Sequence, residues 1–380
     1  MTTHRIPETT IAAVTSAYGE PIELREVPVP ETIENGALLV EVLATSICGT
    51  DVHGWQGHLT IPADLPSVQG HEMVGRIVKF GAGERVDSYG RPLDIGDRVI
   101  WTHASCGHCP GCMTGRDSAL CENPRMYGYA DVNEYPHLLG GFAQHAYVLP
   151  ASGRVRVPDS VPDELASVAA CAVRSAANAV DKLGAVASGS RILVQGSGPV
   201  GLFATAMLSL TAARDLVVVG GPATRLAMAR DFGATATVSI DEFDTVEARH
   251  AEVRRLLGGA QPDLLLEMSG GPTAFGEGLE LAAKGARYVL MGQVSSRTVS
   301  IVPSRITMKN LDVLGAFSGS VAYYKQALDF IDMYRERFEL DRIVSGRFSL
   351  DEINRAMAEM LDMTQTKPVV FPGRSRGPSS

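Results

Sequence analysis

The feature that most restricts how this chain can fold is a run of four closely spaced cysteines, SCGHCPGCMTGRDSALC. Cys106, Cys109 and Cys112 are each separated by two residues, and Cys121 follows after eight more. This spacing predicts a tight loop around one tetrahedral metal ion, because four thiolates close the coordination of Zn²⁺ and metal binding itself stabilises such a loop. We therefore predict a structural zinc site in this segment.

Two other uses of these cysteines fit the sequence less well. Disulfide bonds belong to oxidising compartments, and the N-terminal segment MTTHRIPETT is polar, without the apolar core of a secretory signal, so we expect a cytoplasmic protein. A nucleic-acid-binding zinc ribbon needs a basic surface, whereas the net charge is −9 and no Lys/Arg run occurs. We therefore expect no nucleic acid partner, and no membrane partner, because no apolar stretch approaches the ~20 residues that span a bilayer.

The two remaining cysteines and one histidine form a second candidate metal site. Cys48 lies in SICGTDVH, His71 in GHE and Cys171 in AACAVRS. Two thiolates and one imidazole leave one coordination position of Zn²⁺ open, which is typical of a catalytic site. Cys171 is the weakest of the three candidates, because an isolated cysteine in an alanine-rich stretch is often a small buried apolar residue.

The character of the sequence changes near residue 160 and predicts two domains in this chain of 380 residues. The preceding part contains short β-branched runs such as ALLVEVLA between Gly- and Pro-rich segments, typical of a mostly β domain. Apolar strands then alternate with helices, as in RILVQ followed by PVGLFATAMLSL, which predicts a doubly wound parallel sheet. The last helix and strand are too short to form a core of their own. We expect a catalytic domain of residues 1–165 and 317–380 and a dinucleotide-binding domain of residues 166–316.

A glycine motif after the RILVQ strand indicates a dinucleotide site. Gly196, Gly198 and Gly201 stand in GSGPVG, where Pro199 and Val200 open the following helix. The three glycines permit a tight turn, close approach of backbone to a pyrophosphate, and close packing of helix on strand. The helix N-terminus then offers N–H groups to the phosphates. The motif therefore predicts binding of NAD or NADP.

The sequence leaves the choice between these two cofactors open. A NAD site normally carries an acid at the end of the second strand, but this strand ends in Gly220, followed by Gly221 and Pro222. Arg225 is the one nearby cation that could bind a 2′-phosphate, and it could equally stack on adenine or face solvent. One charge-assisted contact is worth about 1.5–3 kcal/mol. We therefore expect weak selectivity with a preference for NAD.

The chain resembles the zinc-dependent alcohol dehydrogenases of the medium-chain dehydrogenase/reductase superfamily. The similarity covers nearly the whole chain, in the ordered segments YGEPIELREVPVPE, SICGTDVH, GHEMVGRIVKFGAG, IGDRVIW, the four-cysteine loop, GGFAQHAYV, QGSGPVG and KNLDVLGAF. The resemblance implies an α/β protein with a Rossmann doubly wound sheet and a mostly β, GroES-like catalytic domain. It also implies one catalytic and one structural zinc per chain, NAD or NADP, and a homodimer or homotetramer.

The resemblance implies individual roles around the metal. The family's catalytic zinc ligands correspond to Cys48, His71 and Cys171. Glu72 matches an acid near the metal, and Asp51 matches an acid that orients the ligand imidazole. Thr50 matches the hydroxyl that begins a proton relay, and His53 matches the outer base of that relay.

The resemblance extends to the cofactor and substrate sites, with two departures. Ser175 matches a hydroxyl that contacts the nicotinamide, and Trp55 and Trp101 lie in regions that border the substrate cleft, although core packing is an equal interpretation for Trp101. In the four-cysteine loop, eight residues separate Cys112 from Cys121, where the family usually has seven. The acid expected at Gly220 is also missing.

These assignments predict a zinc-dependent oxidoreductase that transfers hydride between an alcohol and NAD(P), giving an aldehyde or ketone. Indole side chains near the cleft favour uncharged primary, secondary or cyclic alcohols. A polyol or amino-alcohol dehydrogenase of the same superfamily is an alternative, as is a zinc-stabilised cofactor-binding protein without turnover. The intact metal and relay set argues against the last of these.

Overall fold

The chain divides into two compact units in the computed structural model, which describes residues 6–114, 118–294, 296 and 298–373. The first unit comprises Met1–Cys171 and Gly319–Ser380, and the second comprises Ala172–Ser318. Residues 1–5 and 374–380, which belong to the predicted catalytic domain, lie outside the described residues. No helix in the described part of the chain is long and apolar enough to cross a membrane.

The regular elements are numbered in chain order. The strands are β1 (Thr9–Thr15), β2 (Glu23–Pro28), β3 (Leu38–Ser46), β4 (Ser67–Val68), β5 (Met73–Phe80), β6 (Arg98–Ala104), β7 (His145–Val148), β8 (Ser152–Arg156), β9 (Arg191–Gln195), β10 (Asp215–Gly220), β11 (Ala236–Ser239), β12 (Leu264–Glu267), β13 (Arg287–Leu290), β14 (Asp312–Gly315), β15 (Gly346–Ser349) and β16 (Pro368–Phe371). The helices are α1 (Gly49–Trp55), α2 (Pro110–Met113), α3 (Asp163–Val168), α4 (Arg174–Leu183), α5 (Pro199–Leu208), α6 (Ala223–Asp231), α7 (Val246–Leu256), α8 (Ala274–Leu281), α9 (Ser304–Lys309), α10 (Val321–Phe338) and α11 (Ile353–Leu361).

The first unit is built on β-sheets, and the mostly β character predicted for it is confirmed. One sheet has the order β2-β1-β4, and a larger one has the order β15-β16-β3-β5-β6-β8, with β7 also paired to β3. β15 and β16 pair in parallel, whereas the other pairs are antiparallel. Strand β3 is central in the larger sheet, and Leu39 and Val40 on it are fully buried. The last strand, β16, therefore completes the sheet that begins near the N-terminus.

The second unit contains one parallel sheet with helices between its strands, and the Rossmann prediction is confirmed. The sheet order is β11-β10-β9-β12-β13-β14. Numbered from β9, this is the order 3-2-1-4-5-6 that is typical of dinucleotide-binding sheets. The apolar run Ile192, Leu193 and Val194 is fully buried, as a strand covered on both faces requires. The GSGPVG turn follows β9, at the point where the strand order reverses.

Candidate active site and metal centres

The segment SICGTDVH forms the start of helix α1, and its first cysteine caps that helix. Cys48 Sγ accepts a hydrogen bond from the Thr50 N–H at 3.2 Å, and the Cys48 N–H donates to Asp51 Oδ2 at 2.9 Å. This reciprocal pair is a capping box in which a thiol takes the place of the usual hydroxyl. The helix start therefore fixes the positions of Cys48, Thr50 and Asp51 relative to one another.

Asp51 also orients the histidine of the site. Its Oδ1 lies 3.0 Å from His71 Nδ1, and the other ring nitrogen, Nε2, lies 3.4 Å from Cys48 Sγ. Burial lowers the pKa of His71, but the neighbouring charges of Asp51 and Cys48 outweigh it, so the pKa lies well above its ordinary value. A carboxylate on Nδ1 leaves Nε2 directed at a metal position, the usual arrangement of ligand histidines.

Four possible metal donors converge here. Ligand atoms of Cys48, His71, Glu72 and Cys171 all lie within 4.8 Å of one another. Cys171 lies in the one-turn π-helix Ala169–Val173 between α3 and α4, a distortion that is frequent at functional sites. Hydrogen bonding to Cys171 and burial hold the pKa of the Cys48 thiol well above its ordinary value. A bound cation would deprotonate such thiols, and the soft sulfur and imidazole donors fit Zn²⁺.

Glu72 is held by a lysine that sequence reasoning missed. The Glu72 carboxylate is fully buried, and its Oε2 pairs with Lys367 Nζ and accepts a hydrogen bond from Ser46 Oγ. Its other oxygen, Oε1, is buried without a hydrogen-bond partner among the described residues. Burial raises the pKa of Glu72 to about 7, against the opposing effect of Lys367. The one clue in the sequence is the lysine at the start of the apolar segment KPVVFP.

Thr50, the first of the two predicted relay residues, lies on α1 beside a narrow cavity. Thr50 and His71 line this cavity together with Leu59, Ala63 and Tyr129. Burial raises the pKa of Tyr129 to about 12, so this residue contributes a neutral hydroxyl. Tyr129 is a second residue that sequence reasoning missed, because the motifs contain no signal for it.

His53 follows Thr50 on the same helix, so the two predicted relay residues are three positions apart, where helix side chains are neighbours. The His53 ring lies 6.5 Å from the ring of His58.

The structure separates the two tryptophans. Trp55 is partly buried, and its indole N–H donates to the Glu20 carbonyl at 2.7 Å. Trp101 is 2% exposed within the hydrophobic core, where it meets Tyr127 edge to face at 6.0 Å. Of the two interpretations that the sequence left open for Trp101, the burial of its ring on strand β6 favours core packing. Nearby, His103 accepts the Tyr127 N–H on Nδ1 at 3.1 Å, with its ring 6.5 Å from that of His71.

The four-cysteine loop brings its sulfurs together despite the longer spacing. The Sγ atoms of Cys106, Cys109, Cys112 and Cys121 all lie within 4.8 Å of one another. The Glu122 N–H donates to Cys109 Sγ at 3.4 Å and lowers the pKa of this thiol to about 6. Residues 115–117 of the loop lie outside the described residues. The donor set is closed and all-sulfur, which fits a structural Zn²⁺.

The GSGPVG turn has the geometry expected of a pyrophosphate loop. Gly196 has φ +114°, a conformation that strongly favours glycine, and a Cβ on Gly201 would overlap the Gly196 carbonyl. Gly198 caps α5, and Pro199 and Val200 form its first turn. The turn therefore requires two of its glycines for steric reasons and exposes a helix N-terminus.

The other predicted cofactor residues lie in the second unit with this loop. Ser175 is buried on α4, and Gly220 is the last residue of β10. Arg225, on α6, is 7% exposed, and burial lowers its pKa. Its guanidinium is therefore mostly enclosed by protein, which weakens it as a candidate for binding a 2′-phosphate.

Comparison with known proteins agrees with this arrangement. The chain matches the family models "Alcohol dehydrogenase GroES-like domain" over residues 34–159 and "Zinc-binding dehydrogenase" over residues 199–333. It is 32% identical to 5-exo-hydroxycamphor dehydrogenase of Pseudomonas putida, over 92% of this chain and 95% of the relative. It is 34% identical to L-threonine 3-dehydrogenase of Shigella sonnei, over 90% and 93%. The solved alcohol dehydrogenase of Thermotoga maritima superposes with a TM-score of 0.87 at 27% identity, covering 96% of this chain and 99% of that one.

We predict that Cys106→Ser removes about one zinc per chain and lowers the melting temperature. If the lost site contributes about 3 kcal/mol, the midpoint should fall by roughly 6–12 °C. Zinc analysis and calorimetry measure both effects. Met113→Ala, an exposed change in the same loop, is the control and should leave both values unchanged. Unaltered zinc content in Cys106→Ser would contradict a metal site here.

A second prediction concerns the buried ion pair. Lys367→Met should destabilise the protein by about 3–5 kcal/mol, because it leaves the Glu72 carboxylate buried and unpaired. Lys367→Met combined with Glu72→Gln should recover much of this loss. Urea unfolding of the native protein, both single variants and the double variant gives the coupling free energy. Additive losses in the double variant would show that the pair is not energetically coupled.

Proposed function

The chain belongs to the zinc-dependent alcohol dehydrogenases of the medium-chain dehydrogenase/reductase superfamily, and on this basis we propose that it interconverts an uncharged alcohol with an aldehyde or ketone. The observation that carries the proposal is the convergence of Cys48, His71 and Cys171 beside Thr50 in a partly buried cluster. A protein that had lost turnover would have no physical need for a hydroxyl at this position. The GSGPVG loop would hold a nicotinamide cofactor, which would supply the hydride acceptor or donor.

We assign one zinc to Cys48, His71 and Cys171 and a second to the four-cysteine loop. When bound at the first site, Zn²⁺ supplies Lewis acidity that lowers the pKa of an alcohol hydroxyl. Asp51 keeps His71 in the tautomer with Nε2 free, and the helix cap holds Cys48 Sγ as an acceptor.

The chain's own residues handle the proton and the charge. Thr50 Oγ accepts the hydroxyl proton as it passes its own proton on, and His53, on the same helix, takes up the relayed proton and releases it to solvent. Glu72 remains in its pair with Lys367, which balances a negative charge inside an otherwise thiolate-rich site.

The cavity beside Thr50 supports an uncharged substrate. Leu59, Ala63 and Tyr129 give it apolar or neutral walls next to the paired Asp51 and His71, and its described lining residues include no Lys or Arg. The carboxylate of an amino acid would find no lysine or arginine partner among these residues. We therefore place cyclic or other uncharged secondary alcohols ahead of threonine-like substrates, with Trp55 as a further wall. A polyol or amino-alcohol substrate is the second candidate.

We propose NAD as the preferred cofactor, with Gly196, Gly198 and Gly201 at the pyrophosphate and Ser175 near the nicotinamide. The burial of Arg225 supports this preference, because a mostly enclosed guanidinium is a poor ligand for a 2′-phosphate. The absence of an acid at position 220 argues in the other direction, because the acid that usually favours NAD over NADP is missing.

We further propose a cytoplasmic homo-oligomer, a dimer or a tetramer. Strand β14 lies at the edge of the parallel sheet in the described part of the chain. Leu314 on it is 36% exposed, and the following Phe317 is 56% exposed. A second copy of this chain is the occupant that such an apolar edge fits best, because edge strands that stay uncovered are prone to pairing.

The first prediction from this proposal concerns the catalytic zinc. Cys48→Ala and His71→Ala should each lower the zinc content from about two to about one per chain and abolish turnover. Both variants should stay folded, because the four-cysteine loop holds a separate ion. Zinc analysis, circular dichroism and nicotinamide absorbance test this. Retention of most activity in either variant would refute the ligand assignment.

The second prediction concerns substrate class. Assays of alcohols and ketones with NAD and NADP should give the highest kcat/KM for uncharged cyclic or secondary alcohols, at least about 100-fold above L-threonine. Thr50→Val should lower kcat by about 10²-fold or more, whereas Thr50→Ser should retain most of it. A preference for threonine would favour the amino-alcohol alternative. Zinc-loaded protein without activity on any alcohol would favour the binding protein without turnover.

A further inference from the structure

The end of strand β10 shows why the expected acid is missing. A Cβ on Gly220 would overlap the Ser197 side chain, which is 2% exposed. Ser197 Oγ accepts the Gly221 N–H and donates to the Gly221 carbonyl, both at 3.0 Å. The space that an aspartate at 220 would need is therefore filled by a hydroxyl that holds the backbone. Ser197, inside the GSGPVG loop, therefore leaves no room for an acidic side chain at position 220.

The neighbouring strand brings another acid to this place. Strand β11 pairs in parallel with β10, with Ser239 opposite Gly220, and the Ile240 N–H donates to the Gly220 carbonyl at 2.9 Å. The chain after β11 therefore runs beside Gly221. A Cβ on Gly221 would lie 3.3 Å from Asp241 Oδ2 and 3.1 Å from Ile240. Glycine at 221 thus leaves room for the Asp241 carboxylate against the end of β10.

The backbone around Asp241 is held, while its carboxylate remains exposed. Ser239 Oγ accepts the N–H groups of Asp241 at 3.2 Å and Glu242 at 3.3 Å, so the turn after β11 is fixed by a side chain. Asp241 itself is exposed. It lies beyond the carboxyl ends of β10 and β11, the side on which dinucleotides bind to such sheets. A carboxylate here can accept hydrogen bonds from ribose hydroxyls.

We propose that Asp241 takes over the function of the acid missing at Gly220, binding the adenosine ribose of NAD and repelling the 2′-phosphate of NADP. The inference rests on the proposed nicotinamide-dependent function and names the residue that sets its cofactor selectivity. A carboxylate beside the ribose would repel the 2′-phosphate, because like charges near the protein surface oppose each other. Asp241 therefore makes the preference for NAD stronger than Gly220 and Gly221 alone would imply.

Cofactor binding to the purified, zinc-loaded protein tests this without any alcohol present. Dissociation constants for NADH and NADPH are measured by nicotinamide fluorescence for the native protein, Asp241→Asn, Glu242→Gln and Arg225→Ala. The native protein should bind NADH more tightly. Asp241→Asn should reduce the NADPH/NADH ratio of dissociation constants by roughly tenfold, mainly through tighter NADPH binding. Added salt should shrink the native ratio, because it screens exposed charges.

Glu242→Gln removes the same charge from the same turn and should change the ratio by less than about twofold. An unchanged ratio in Asp241→Asn, or an equal change in both variants, would overturn the assignment while leaving nicotinamide binding intact. A native preference for NADPH that disappears in Arg225→Ala would overturn it in favour of the arginine. If the native protein bound neither cofactor, the proposed function itself would fail, and this inference with it.

Discussion

The geometry of the candidate active site depends on one carboxylate. Asp51 receives the Cys48 N–H on one oxygen and faces His71 Nδ1 with the other. The same hydrogen bonds that begin helix α1 therefore set the distance between a thiol and an imidazole from different parts of the chain. The start of helix α1 and the orientation of His71 therefore depend on the same carboxylate, which gives Asp51 both a structural and an electrostatic role.

The charged and titratable groups around Glu72 explain why the site needs a cation. Glu72 is fully buried next to two thiols, and its carboxylate pairs with the buried Lys367 ammonium. Hydrogen bonding to Cys171 and burial hold the pKa of the Cys48 thiol above its ordinary value, and burial raises the pKa of Glu72, so Zn²⁺ binding here would displace a proton from the thiol. Zinc binding and proton release are therefore coupled here, and the buried lysine limits the negative charge that one divalent ion must neutralise.

In the second unit, the carboxyl ends of β10 and β11 show how an acid can be absent from its expected position and be supplied from a neighbouring strand. Ser197 in the glycine loop occupies the space of a side chain at 220, and the register between β10 and β11 brings Asp241 to Gly221. When the dinucleotide-binding motif is compared position by position, the sequence shows only that the acid at position 220 is missing. The three-dimensional arrangement shows an acid nearby that comes from a different strand.

The features that the sequence determined by itself are encoded by residues close together in the chain or by a repeating apolar pattern. The cysteine spacing, the strand–turn–helix context of GSGPVG and the alternation of apolar strands with helices predicted the loop, the Rossmann sheet and the mostly β domain, because each depends on residues close together in the chain. The pairing of Glu72 with Lys367, the burial of Trp101, the placement of Tyr129 and the approach of Asp241 were decided only by tertiary structure. Each of these depends on which strands become neighbours and in which register, and a shift of one residue in register would direct a different side chain to the site.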